Sequence, residues 1–213
     1  MLCQSLAGAP GWFAACAADN TREFWQAHKQ QYADQVRAPL LQLLRNAGED
    51  TDGWRVYRPH QDVRFRPGAG ALKTFLGALH VAPDGTGRYL QVSADGLLAS
   101  SGLPYLAADQ LPRWRAAVAG ADGEHLDRVL ACARAGGARI KSGYPAPLVR
   151  VPRGHPPDHP RAELLRWRGV EVYARTADAA VSAAWVTRTW AAGAGLRAWL
   201  AEHVGISALE RPR

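Results

Sequence analysis

The chain has 213 residues, 47% of them hydrophobic, and a formal net charge of +7 at pH 7. This apolar content excludes a disordered chain, and no apolar run approaches the roughly 20 residues that a membrane-spanning helix needs. We expect one domain over residues 1–213. The N-terminus lacks the basic region of a secretory signal. The three widely spaced cysteines match neither a disulfide framework nor a zinc pattern, so a cytoplasmic location is expected.

The basic residues are 23 arginines and only three lysines. A basic surface favours an acidic partner, which could be a nucleic acid, an anionic small molecule or an acidic protein. The arginines are spread along the chain, and the sequence carries no RNA-binding or zinc-finger signature. An anionic small molecule or an acidic protein is therefore the expected partner. Binding to a nucleic acid or a membrane is not expected.

The first fifty residues predict helices. Residues 12–18 form a short helical pattern, and Thr21 is expected to cap the start of a long helix. The apolar face of that helix would carry five side chains at helical spacing: Phe24, Trp25, His28, Tyr32 and Val36. Pro39 should kink or restart the helix, because a proline removes a backbone hydrogen bond.

The rest of the chain predicts a sheet followed by more helices. Strands are expected over residues 55–58, 62–66, 75–81, 88–93 and 97–101, with hairpin-type turns between the last three. Helices are expected over residues 109–119, 124–135, 161–167 and 179–204, the last of them broken near Gly193 and Gly195, with a strand over 169–175. Residues 140–160 hold six prolines and predict a loop. The fold class is therefore α+β, with an antiparallel meander flanked by helices.

Residues 55–66 are the most informative stretch for function. Asp62 is the single carboxylate there among four arginines: Arg55, Arg58, Arg64 and Arg66. If residues 62–66 form a strand, Val63 and Phe65 lie on one face and the charged side chains on the other. Such a face could hold an anionic group and move a proton. The alternative is an exposed strand in which Asp62 forms a structural salt bridge.

Three segments in order and spacing carry a family resemblance: residues 18–25 (ADNTREFW), 57–65 (YRPHQDVRF) and 151–165 (VPRGHPPDHPRAELL). They resemble the bacterial family catalogued as domain of unknown function 2461, in its actinobacterial type, over roughly residues 10–205. Ordinary members carry large polar side chains in the loop that here runs from Arg66 through small residues to Lys73. With this loop of small residues, the chain is similar to a divergent branch of proteins associated with aziridine or azabicycle formation in specialised metabolism.

The resemblance implies an enzyme without a cofactor. In that branch an amine displaces a neighbouring sulfate on a substrate attached to a carrier protein. Asp62 is then the candidate to take the ammonium proton, and Arg64 and Lys73 are the candidates to stabilise the departing sulfate. Arg58 is next, and Arg153 is a further candidate for holding an anion. An aspartate among arginines is expected to stay ionised and to be a weak base, so Asp62 could instead orient the amine.

Other hypotheses stay open beside this one. The chain could be a non-catalytic basic module, or a subunit that recognises an acidic carrier protein or a small partner subunit. His60 and His80 could titrate near neutrality. A metal site at His155, Asp158 and His159 is not expected, because prolines restrict the backbone there and no second cluster completes a ligand set. Asp158 and His159 are expected instead to cap the following helix.

Overall fold

The computed structural model describes residues 5–62 and 70–209. Within them the α+β class and the antiparallel sheet are confirmed. The helices are α1 Ala9–Ala18, α2 Arg22–Tyr32, α3 Ala38–Asn46, α4 Gln110–Ala119, α5 Asp122–Ala135, α6 Ala162–Arg166, α7 Ala183–Ala192 and α8 Ala194–His203. The strands are β1 Trp54–Val56, β2 Phe75–Val81, β3 Gly87–Ser93, β4 Gly96–Leu103, β5 Arg139–Ser142 and β6 Val170–Thr176. Among the described residues, none of these helices has both the length and the apolar character to cross a membrane.

The sheet runs in the order β1-β2-β3-β4-β6-β5 over the described residues. Its first four strands correspond to four of the five strands expected in the meander, and β1 pairs antiparallel to β2 with Trp54 opposite His80. The prediction of a loop beginning at residue 140 was wrong, because Arg139–Ser142 forms the edge strand β5. Ile140 packs against the core there, while Lys141 on the other face forms an ion pair with Glu171 of β6.

The N-terminal helices form as their sequence predicts. The Thr21 hydroxyl accepts a hydrogen bond from the backbone N–H of Phe24 at 3.1 Å, so Thr21 is the N-cap of α2. A π-helical segment, Ala33–Arg37, follows α2, and the helix restarts as α3 with Pro39 in its first turn. Proline is tolerated at that position because its missing N–H has no partner inside the helix.

The chain divides into two compact units. The first comprises the described residues of Met1–His80, Tyr89–Ala99 and Arg175–Thr187; the second comprises those of Val81–Arg88, Ser100–Ala174 and Arg188–Arg213. Strands β2, β3, β4 and β6 each contribute residues to both units. The expectation of a single domain over residues 1–213 stays a prediction.

Each unit has an aromatic core. In the first unit the Trp12 ring contacts Phe13, Phe24 and Tyr32 with centroid distances of 5.2, 5.6 and 5.0 Å. In the second unit the rings of Trp114 and Trp199 pack edge to face at 5.7 Å, and both are buried. Such pairs add stability beyond the area that they bury.

Candidate functional site

The site is built on residues 57–62 and 70–74 of the first unit, which we call the strap. Beyond β1, the backbone N–H of Tyr57 donates to the carbonyl of Gly77 at 2.8 Å. His60 then forms an isolated antiparallel β-bridge with Leu72, and the N–H of Lys73 donates to the carbonyl of Pro59 at 2.7 Å. The two halves of the strap therefore run antiparallel to each other.

A cavity of about 580 Å³ opens beside the strap. It is lined by Arg55, Val56, Tyr57, Arg58, Asp62 and Lys73. Three of these side chains are cationic and one is a carboxylate, so the lining carries a net positive charge. A cationic cavity of this size can hold a small anionic group together with an organic portion.

The structure brings together three of the five residues selected from the sequence. Asp62, Arg58 and Lys73 line the same cavity. Arg64 and the expected strand beyond Asp62 lie outside the described residues, and Asp62 itself is in no strand. Arg153 is an exposed residue of the second unit. The functional roles assigned to all five residues stay predictions.

Lys73 is tied to the strap by its own side chain. Its ammonium donates hydrogen bonds to the carbonyls of Arg58 at 3.0 Å and His60 at 2.6 Å. Burial lowers the pKa of Lys73, and the nearby positive charge of Arg58 lowers it further. An ammonium has three donors. Lys73 therefore holds the strap together with two of these donors.

Asn20 fixes the strap from the junction between α1 and α2. Its Oδ1 accepts from the backbone N–H of Leu72 at 2.7 Å, and its Nδ2 donates to the carbonyl of the same residue at 3.0 Å. Gly70 lies so close to Asn20 that a Cβ there would clash with the amide. The expectation for this junction was only a helix end. We call the two hydrogen bonds between Asn20 and Leu72 the Asn20 clamp. The signal that could have predicted it is the presence of Asn20 in the first family segment.

The ring of Tyr57, which lines the cavity, lies beside a tyrosine of β3. The guanidinium of Arg55 lies 5.8 Å from the Tyr57 ring centroid, and that ring lies 6.1 Å from the ring of Tyr89. The Tyr89 hydroxyl donates to Gln91 at 2.9 Å. Tyr89 lies directly over Gly77, where a Cβ would clash with its ring. The predictions missed Arg55 and Tyr57 as lining residues, although both belong to the arginine-rich segment.

The histidine-rich loop shows a structural role for one of its histidines. His159 accepts a hydrogen bond through its Nδ1 from the backbone N–H of Arg161, the residue before α6, at 2.9 Å. No side chain of the described residues caps α6, so the prediction that Asp158 and His159 cap this helix was wrong. In the described ranges 5–62 and 70–209, no group of three His, Cys, Asp or Glu side chains could hold a metal ion.

The family is shown by sequence comparison. The model of the family described as "Conserved hypothetical protein (DUF2461)" matches residues 10–195, which is most of the chain. The chain therefore belongs to this family. No curated protein and no solved structure matches the chain. The match includes the strap, Asn20 and the residues that line the cavity, and it assigns no activity to them.

Proposed function

We propose that the chain is an enzyme of specialised metabolism that closes a small nitrogen ring, an aziridine or azabicycle. The observation that carries the proposal is the lining of one cavity by Asp62, Arg58 and Lys73. Ring closure by displacement needs an amine, a leaving group and a charged pocket that holds both in line. Positioning of this kind can lower a barrier by several kcal/mol without covalent chemistry from the protein.

The reaction balances without a cofactor. The lone pair of the substrate amine forms a new C–N bond, and the C–O bond to sulfate breaks with its electron pair leaving on the sulfate. The ammonium proton goes to Asp62 or to water. Arg58 supplies a planar fork of donors to the sulfate oxygens, and Lys73 supplies positive charge beside them.

The substrate proposed is a sulfated amine attached to an acidic carrier protein. The net positive charge of the chain and of the cavity lining supports an anionic substrate and carrier. Arg64 and Arg153 are proposed as further anion-binding residues. The finer placement in the aziridine-forming branch rests on the small residues between Arg66 and Lys73, a feature of the sequence alone.

The test is turnover of a sulfated amino substrate by the Asp62→Asn variant. General acid–base catalysis contributes about 10²- to 10⁴-fold, so we expect a loss of at least about 100-fold. Asp52→Asn is the matched control, because Asp52 is also an exposed aspartate of the first unit and does not line the cavity. Unchanged turnover in Asp62→Asn, or an equal loss in Asp52→Asn, would refute the role of Asp62.

A second candidate function is a non-catalytic module or subunit that recognises an acidic carrier protein or another anionic partner. It is favoured by the engagement of Lys73, whose ammonium already holds two backbone carbonyls. Under this hypothesis Arg58→Gln weakens association with the carrier, measured by calorimetry, while no ring product forms with any variant. Formation of product by the wild-type protein alone would exclude it.

A further inference from the structure

The three cationic side chains that line the cavity beside the strap are held in different ways. The ammonium of Lys73 donates to the carbonyls of Arg58 and His60, at 3.0 and 2.6 Å, so the backbone engages two of its donors. The guanidinium of Arg58 takes part in no ion pair, hydrogen bond or ring contact with another described residue. The third cation, Arg55, is oriented by another side chain of the same cavity.

That side chain is Tyr57. Arg55 and Tyr57 are two residues apart where β1 passes into the strap, so they lie on the same face of the extended chain. The guanidinium lies 5.8 Å from the centroid of the tyrosine ring, which is within the distance for a cation–π contact. In the part of the chain that the structure describes, no hydrogen bond or ion pair engages the Arg55 guanidinium. Arg55 is therefore oriented by the ring without using its donors.

The Tyr57 ring is itself fixed against the sheet. The backbone N–H of Tyr57 donates to the carbonyl of Gly77 in β2 at 2.8 Å. The Tyr57 ring lies 6.1 Å from the ring of Tyr89 in β3, whose hydroxyl donates to Gln91 at 2.9 Å. Tyr89 occupies the space above Gly77, where a Cβ would clash with its ring. These contacts hold Tyr57 from the backbone and from the ring, so it is a firm support for Arg55.

We propose that Arg55, positioned by Tyr57, is the residue of the cavity that binds the sulfate group of the ligand. A guanidinium offers a planar fork that can hold two oxygens of a tetrahedral oxyanion, whereas an ammonium acts as a point charge. A fork that is oriented before the ligand arrives loses less conformational freedom on binding. Arg58 and Lys73 then add positive charge around the anion.

This inference deepens the proposed function and rests on it for the choice of sulfate as the anion. It goes beyond that function in assigning the anion to Arg55, which the sequence did not select, and in making Tyr57 a positioning residue. The Tyr57 ring also gives the cavity an apolar surface beside the anion, which suits the organic part of a sulfate ester.

The test is binding of inorganic sulfate to the full chain at constant ionic strength, measured by calorimetry and by thermal unfolding with sodium chloride as the reference. We expect sulfate to raise the unfolding temperature more than chloride does. Arg55→Gln should weaken sulfate binding at least about tenfold, because it removes charge-assisted hydrogen bonds, and Arg58→Gln should weaken it less. Arg45→Gln is the matched control, since Arg45 is an exposed arginine of α3 in the same unit and does not line the cavity.

Variants of Tyr57 test its positioning role. Tyr57→Phe keeps the ring and should leave sulfate binding unchanged, whereas Tyr57→Leu removes the ring and should weaken binding about threefold or more. In the Arg55→Gln background, Tyr57→Leu should have no further effect, because the ring acts through Arg55. An equal effect of Tyr57→Leu in both backgrounds would show that the ring does not act through the arginine and would overturn the positioning role.

Binding and turnover separate this inference from the proposed function, because sulfate binding is measured whatever the turnover of Asp62→Asn. Tighter binding of phosphate than of sulfate at pH 8 would contradict sulfate as the anion, and equal or weaker binding of phosphate supports it. The assignment to Arg55 is overturned if sulfate acts no more strongly than chloride on the wild-type protein. It is also overturned if Arg58→Gln or Arg45→Gln weakens sulfate binding as much as Arg55→Gln does.

Discussion

Replacing Asn20 by alanine should destabilise the protein through the strap. The variant loses both hydrogen bonds between the Asn20 amide and the backbone of Leu72, which are 2.7 and 3.0 Å long. Leu72 is only 1% exposed, so water cannot easily replace the amide. Two lost hydrogen bonds and an unsatisfied backbone N–H together cost about 2–4 kcal/mol. For a chain of this size that is a decrease in unfolding temperature of roughly 5–15 °C.

The assay is reversible urea unfolding, followed by tryptophan fluorescence, of the wild type and two variants. Asn46→Ala is the control, because Asn46 is an exposed residue at the end of α3 whose side chain accepts a hydrogen bond from Gln42 on the same helix. Its free energy of unfolding should change by less than about 0.5 kcal/mol. A change of that same small size in Asn20→Ala would refute the clamp. The effect on unfolding should be accompanied by weaker anion binding at the cavity, since Lys73 follows Leu72 directly.

Two further predictions concern the same unit. Gly77→Ala places a methyl group against the Tyr89 ring and should lower the free energy of unfolding in urea by about 1–3 kcal/mol. Gly11→Ala is the control: this exposed position of α1 has open space around it, so the change should stabilise the protein by up to about 1 kcal/mol. Equal effects of the two changes would contradict the close contact between Gly77 and Tyr89. Because the pKa of Lys73 is lowered from 10.5, its acetylation rate should rise with a midpoint below pH 10.5, measured by peptide mass spectrometry. Between the lowered pKa of folded Lys73 and pH 10.5, the unfolded state binds more protons than the folded state. The contribution of Lys73 to stability therefore increases as pH rises through this range. An acetylation midpoint at or above pH 10.5 would contradict the burial of the ammonium.

The elements that sequence patterns predicted well are those whose own residues determine them. The strand over residues 75–81 has the predicted bounds, and Thr21 caps α2, because alternation and capping are local properties. Strand β5 was missed for the opposite reason. Its four residues hold a single apolar side chain, Ile140, and they form a strand because the edge of β6 pairs with them.

The same distinction holds for the candidate site. Asp62, Arg58 and Lys73 lie close in sequence, so a short antiparallel strap is enough to bring them to one cavity. The Asn20 clamp joins residues 52 positions apart and depends on how α1 and α2 pack, which no local pattern encodes. Gly77 did carry a local signal, since a glycine inside a strand often marks the close approach of another group; here that group is the ring of Tyr89.

The charge of the cavity bears directly on the weakest step of the proposed reaction. Cations beside a carboxylate favour its ionised form and so make it a weak base, which is the expectation for Asp62. The same cations act on the substrate, because a positive environment also lowers the pKa of an ammonium group and releases its proton more easily. A strong base is then less necessary than a group that orients the amine while the proton passes to Asp62 or to water. Three cationic side chains against one carboxylate therefore fit a site in which holding the anion and generating the neutral amine are the same electrostatic task.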